Sequence, residues 1–129
     1  MLTLYWKPDM GTGNEAVDLQ HQYFVTLINR IAINLADTRD DAYRMKLLDE
    51  IRKYADFHFT SEENIAFACG KIVGLHSHHE RHQELLTELH DHTSDLLKGH
   101  YTVEEYIQFL HEWFVGHTIR EDRLFFGGG

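Results

Sequence analysis

The only proline in this 129-residue chain is Pro8, so nothing after it forbids a helix. The remainder of the chain is periodic. From Val17, apolar residues fall at Phe24, Leu27, Ile28, Ile31 and Leu35, a helical stripe that predicts a first helix over about 17–36. The polar run Asp37-Thr38-Arg39-Asp40-Asp41 reads as a turn that also caps the next helix. Leu47, Leu48, Ile51, Tyr54, Ala55, His58 and Phe59 continue at spacings of three and four, giving a second helix that ends near Gly70. After the connection Gly70-Lys71-Ile72-Val73-Gly74, a third helix covers 75–97, with Leu85, Leu86, Leu89, Leu96 and Leu97 as core candidates. Gly99 marks its end. Thr102 followed by Glu105 fits a capping box and opens a fourth helix carrying Tyr106, Phe109, Leu110, Trp113 and Phe114. Four helices joined by short loops predict an all-α, up-down-up-down antiparallel four-helix bundle. Residues 1–14, with Pro8, Gly11 and Gly13, read as an irregular N-terminal arm.

Composition narrows the function classes. The length fits a single domain over 1–129, with Gly127-Gly128-Gly129 as a flexible tail, a linker or an expression scar. A formal net charge of -9 opposes binding to nucleic acid or to an anionic membrane. Cys69 is the only cysteine, which excludes an intramolecular disulfide and a cysteine-based zinc site. The first residues lack a basic start and a long apolar run, so no secretory signal or membrane span is expected and the cytoplasm is the default compartment.

Eleven histidines remain to be explained. On a helix, residues four apart share a face, so His58 can aim with Glu62, and His78 with His82. His21 stands on the first helix and His117 on the fourth, followed by Glu121 and Asp122. Each helix thus supplies a candidate ligand, the layout of a metal site in a bundle core. Imidazole with carboxylate suits iron or zinc better than calcium. His21, His58, His78, His82 and His117, with Glu62 and one acid from the fourth helix, make seven ligands, too many for one tetrahedral zinc. Two irons bridged by two carboxylates and an oxo or hydroxo group use seven. One iron, with three histidines, is then closed; the other, with two, keeps an open position. Spacing alone prefers Glu121 as the fourth-helix acid. Asp122, at i+5 from His117, lies about 140° round an ideal α-helix, and only a wide turn or π-bulge brings it in.

Taken together, Val17-Asp18-Leu19-Gln20-His21, His58-Phe59-Thr60-Ser61-Glu62-Glu63, His78-His79-Glu80-Arg81-His82 and Trp113-Phe114-Val115-Gly116-His117-Thr118-Ile119-Arg120-Glu121-Asp122 make a specific pattern. Across essentially its whole length the chain resembles a bacterial hemerythrin. The resemblance implies Asp122 rather than Glu121. It implies His78, His82 and His117 on the closed iron, His21 and His58 on the open one, and Glu62 and Asp122 as bridges. It further implies two iron ions as cofactor, dioxygen as the partner bound reversibly at the open iron, and a binding protein rather than an enzyme.

Phe24, Phe59, Trp113 and Phe114 are candidates for an apolar wall that keeps water from the open position. Thr118 stands where the family often carries an aliphatic residue, and a hydroxyl there is expected to stabilise bound oxygen or admit water, speeding autoxidation. Asp18 is read either as an acceptor that orients His21 or as a helix-start acid. His76, His79, His90, His92, His100 and His111 are read as bystanders, and Cys69 as a small buried or loop residue. Three competing classes use the same site: an oxygen- or redox-sensing domain linked to a signalling output such as a cyclase or chemoreceptor; a peroxidase or nitric-oxide-consuming enzyme; and an iron store. Glutamate never stands three residues before a histidine in this chain, which excludes the Glu-x-x-His pairs of ferritin-like oxidases.

Overall fold

The computed structural model describes residues 3–127, apart from the side chain of His117. Helix α1 spans Glu15–Asp37, α2 Asp41–Ala68 and α3 Leu75–Leu97. The fourth helix is α-helical over Val103–His111 (α4), widens to a π-helix over Glu112–Ile119, and returns to α over Arg120–Gly127 (α5). No strand occurs among the described residues. Helix α1 packs on α2, α2 on α3, α3 on α4 and α4 on α1, which closes a four-helix bundle.

Local chemistry sets the boundaries. Asn14 caps α1 by accepting from the Val17 amide, and Asp40 caps α2 by accepting from Ala42 and Tyr43. Thr102 and Glu105 form the reciprocal capping box expected at α4. Helices α2 and α3 end alike. The amides of Lys71 and His100 reach back to the carbonyls of Ala66 and Asp95, and those of Gly70 and Gly99 to Phe67 and Leu96. This double closure needs a left-handed residue, supplied by Gly70 and Gly99 at φ of 77° and 81°.

Between the helices lies one continuous core, with Phe24, Ile28, Ile31, Leu35, Ile51, Tyr106, Leu110 and Phe114 wholly removed from solvent. Leu85, Leu89 and Leu96 are buried as their spacing predicts, and Leu86 is partly buried. Leu97 is not a core residue: it is 43% exposed, because the stripe that buries Leu89 and Leu96 has turned past it where α3 ends. The N-terminal arm is less irregular than its composition suggests. It contains a 3-10 turn at Pro8–Met10 and is tied to α1 by a pair of hydrogen bonds between Leu4 and Asn29, of 2.9 and 2.8 Å. Gly127 belongs to the end of α5 rather than to a tail; Gly128 and Gly129 lie outside the described residues.

Candidate metal centre

His21 on α1, His58 and Glu62 on α2, His78 and His82 on α3, and Asp122 on α5 point into one buried space. Their side chains are between 0% and 8% exposed. The six divide into two overlapping groups. One ligand atom from each of His21, His58, Glu62 and Asp122 lies within 4.8 Å of the others, and the same holds for Glu62, His78, His82 and Asp122.

The two carboxylates belong to both groups because each splits its oxygens. Glu62 turns Oε2 toward His58 Nε2 at 3.2 Å and His21 Nε2 at 3.9 Å, and Oε1 toward His78 and His82 at 2.5 and 3.2 Å. Asp122 turns Oδ2 toward His21 and His58, at 2.8 and 3.8 Å, and Oδ1 toward His78 at 3.2 Å. Each carboxylate thus lies between the imidazoles of His21 and His58 on one side and those of α3 on the other. The side chain of His117, the seventh ligand expected from the sequence, lies outside the described residues.

Asp122 reaches the centre because of the π-helix. In an α-helix it would lie about 140° round from His117. Over Glu112–Ile119 the helix is wider, so ideal α-helical spacing does not carry through to Asp122, whose side chain points into the site. Glu121 is carried outward, where both its oxygens accept from Arg81 Nε at 3.0 and 3.1 Å. The α-helical spacing that prefers Glu121 therefore fails, for the one geometric reason able to overturn it.

The donor set fits a cation better than protons. Glu62 Oε2, His58 Nε2 and His82 Nε2 are buried without any hydrogen-bond partner, although they face one another across the site. Each such orphan costs about 1–3 kcal/mol, a penalty that a shared cation removes. Without metal, strong coupling takes its place. Burial works against a charged His58 and His78, but the facing carboxylates of Asp122 and Glu62 outweigh it and raise both to about 9. Burial likewise favours protonated Glu62, yet the facing imidazoles of His58, His78 and His82 hold it well below the ordinary carboxylate range.

The outer nitrogens explain why the lone pairs face inward. His58 Nδ1 donates to Gln20 Oε1 at 2.8 Å, and Gln20 is itself held by Ser61 at 2.8 Å. His82 Nδ1 donates to Glu63 Oε2 at 2.7 Å. Each bond places the proton on Nδ1 and leaves Nε2 free for a metal. Gln20, Glu63 and Phe125, whose ring stacks on His78 at 4.2 Å, escape sequence reasoning. The first two adjoin ligands in the chain, and that adjacency was the available signal. Asp18 is not a partner of His21. It accepts twice from Thr12, at 2.8 Å each, and pins the arm to α1.

Three of the expected wall residues touch candidate ligands. Phe24 and Phe59 lie 5.7 Å from the His58 ring, Phe59 stacks on His82 at 4.2 Å, and Phe114 stands edge-on to His21 at 5.9 Å. Trp113 forms a layer behind them, against Phe24 and Phe59, and its Nε1 donates to the Leu85 carbonyl at 2.9 Å. Thr118 is buried, and its hydroxyl donates to the Trp113 carbonyl five residues back, at 3.2 Å. Its proton is thus committed to the π-helix backbone. Among the bystanders, His79 is joined to Glu63 Oε1 at 2.6 Å, and His76 pairs with Glu80 at the surface. Cys69 is an exposed thiol in the loop after α2.

Comparison with known proteins agrees with this geometry. Residues 12–127 match the family model described as the hemerythrin HHE cation binding domain. The chain is 27% identical to a bacteriohemerythrin of Ralstonia nicotianae over 129 residues, covering 96% of this chain and 87% of that protein. It is 24% identical to a bacteriohemerythrin of Clostridium acetobutylicum, covering 92% of this chain and 95% of the relative. For a Pseudomonas aeruginosa bacteriohemerythrin the identity is 23%, with 95% and 78% covered. Among the described residues no helix is long and apolar enough to cross a membrane.

Proposed function

The chain belongs to the hemerythrin family, and from that premise we propose that it binds dioxygen reversibly at a non-haem centre of two iron ions, as a binding protein rather than an enzyme. The observation that carries the reading is the split of Glu62 and Asp122, each with one oxygen toward His21 and His58 and the other toward His78 or His82. A single metal would leave one of these groups unused. In this reading Glu62 and Asp122 would serve both irons, His21 and His58 would hold the one that takes up oxygen, and His78 and His82 would hold the other. His117 completes the closed side by resemblance to the family.

When bound, the two irons supply the electrons that dioxygen takes up on binding and returns on release. The chain's own part is to orient, to exclude and to hold protons in place. Gln20 and Glu63 fix the rings of His58 and His82. Phe24, Phe59 and Phe114 pack against the histidines and present an apolar surface beside His21 and His58, which opposes the entry of water that would help bound oxygen leave in reduced form. Five neutral imidazoles against two carboxylates make an electron-poor site, suited to reversible binding more than to oxygen activation.

The test is a visible spectrum of iron-loaded, anaerobically reduced protein, recorded in air and again after the oxygen is removed. A charge-transfer band that appears in air and disappears on deoxygenation is expected. A colourless protein holding one zinc would overturn the reading.

A further inference from the structure

The two halves of the centre are alike in their inward atoms and unlike in their outward ones. On the α3 side, the Nδ1 proton of His82 goes to the Glu63 carboxylate at 2.7 Å. On the α1–α2 side, the Nδ1 proton of His58 goes to the neutral amide oxygen of Gln20 at 2.8 Å. The amide is fixed in that role, because its NH2 group donates to Ser61 at 2.8 Å. His21 Nδ1 is buried and has no hydrogen-bond partner. Both acceptors are only partly exposed. A carboxylate acceptor pulls the proton outward more strongly than an amide does, and this makes Nε2 of His82 the stronger electron-pair donor toward a cation.

We propose that Glu63 and Gln20 are positioning residues that widen the inequality of the two metal subsites beyond what three histidines against two would give. The subsite of Glu62, His78, His82 and Asp122 fills first and holds its cation tightly. The subsite of His21 and His58 fills second and exchanges. The proposal rests on the two-metal reading above. It gives the centre an order of assembly: the first cation takes Glu62 Oε1 and Asp122 Oδ1, and the second oxygens of the same side chains then complete the weaker subsite. Glu63 also anchors His79, which is half-exposed, at 2.6 Å. The surface histidine thereby holds the carboxylate against α3 without touching either subsite.

Anaerobic titration of the metal-free full chain with Co2+, followed by its visible absorption, tests this. Two steps are expected, and His58→Ala should remove the second while leaving the first. Glu63→Gln keeps a hydrogen-bond acceptor of the same shape and removes only its charge. It should weaken the first step by about tenfold to a hundredfold and leave the second within about twofold. Gln20→Glu should strengthen the second step selectively, and the double exchange should narrow or invert the order. Thermal melts of the metal-free variants separate a general loss of folding from these site-selective shifts. Two bound Co2+ with both steps unmoved, or moved equally, would overturn the proposal and spare the two-metal reading. A single bound Co2+ in the wild-type chain would overturn both.

Discussion

Replacing Thr118 by valine removes one hydroxyl from a buried position and barely changes its shape. The residue is 1% exposed, and the hydroxyl donates to the Trp113 carbonyl at 3.2 Å. A neutral hydrogen bond of this kind contributes about 1 kcal/mol net. For a chain of this length such a loss lowers Tm by about 3–5 °C. The site of the loss matters more than its size. The bond spans five residues, so it supports the wide turns that carry Asp122 to the centre in place of Glu121. Metal-free Thr118→Val should therefore melt earlier and bind cations more weakly, while Thr118→Ser, which keeps the hydroxyl, should recover most of both. Circular dichroism melts and Co2+ titration measure the two effects. Unchanged melting with a severalfold change in autoxidation of the iron-loaded protein would refute this reasoning. The hydroxyl would then act on the oxygen pocket, as its place in the sequence first suggests.

Three other perturbations separate parts of the centre. Asp122→Asn should reduce iron bound per chain below two, whereas Glu121→Gln, which weakens only the partly exposed pair with Arg81, should keep full iron and lose at most about 1 kcal/mol of stability; the opposite pattern by elemental analysis would put Glu121 in the site. In the metal-free chain, the contribution of His58 and His78 is fully present below their ordinary value of 6.5 and is lost as pH rises through about 9. Glu62, held low, contributes above its ordinary value of 4.5 and loses that contribution as pH falls further. Melting temperature against pH should accordingly peak between these two ordinary values and decline toward pH 9, and a curve still rising there would contradict the coupling. Phe59→Ala opens a cavity beside His58 and His82 and should cost about 3–5 kcal/mol by denaturant unfolding, with faster autoxidation as water enters.

The bundle was legible because each helix carries its own start, stop and stripe. Asp40, Thr102 and Gly99 act where their chemistry predicts, and the stripe from Phe24 to Leu35 is buried throughout. Leu97 misled because a stripe says nothing about where a helix turns out of the core. In the centre, His58 with Glu62 and His78 with His82 follow from α-helical spacing alone. Asp122 does not, since periodicity assumes one pitch and the fourth helix has two. Gln20 and Glu63 stayed hidden for a related reason. Each sits beside a ligand in the chain, and neighbours on a helix point about 100° apart, so only the partner helix determines which imidazole each one meets. Asp18 had two readings that sequence weighs equally, and its partner Thr12 comes from the arm.

The most direct measurement is a crystal structure of the iron-loaded chain. Two irons are expected, each carboxylate of Glu62 and Asp122 giving one oxygen to each, with His21 and His58 on one iron and His78 and His82 on the other. One metal ion in the centre, or Glu121 in place of Asp122 as a ligand, would contradict the central claim that a π-helical turn completes a two-metal site.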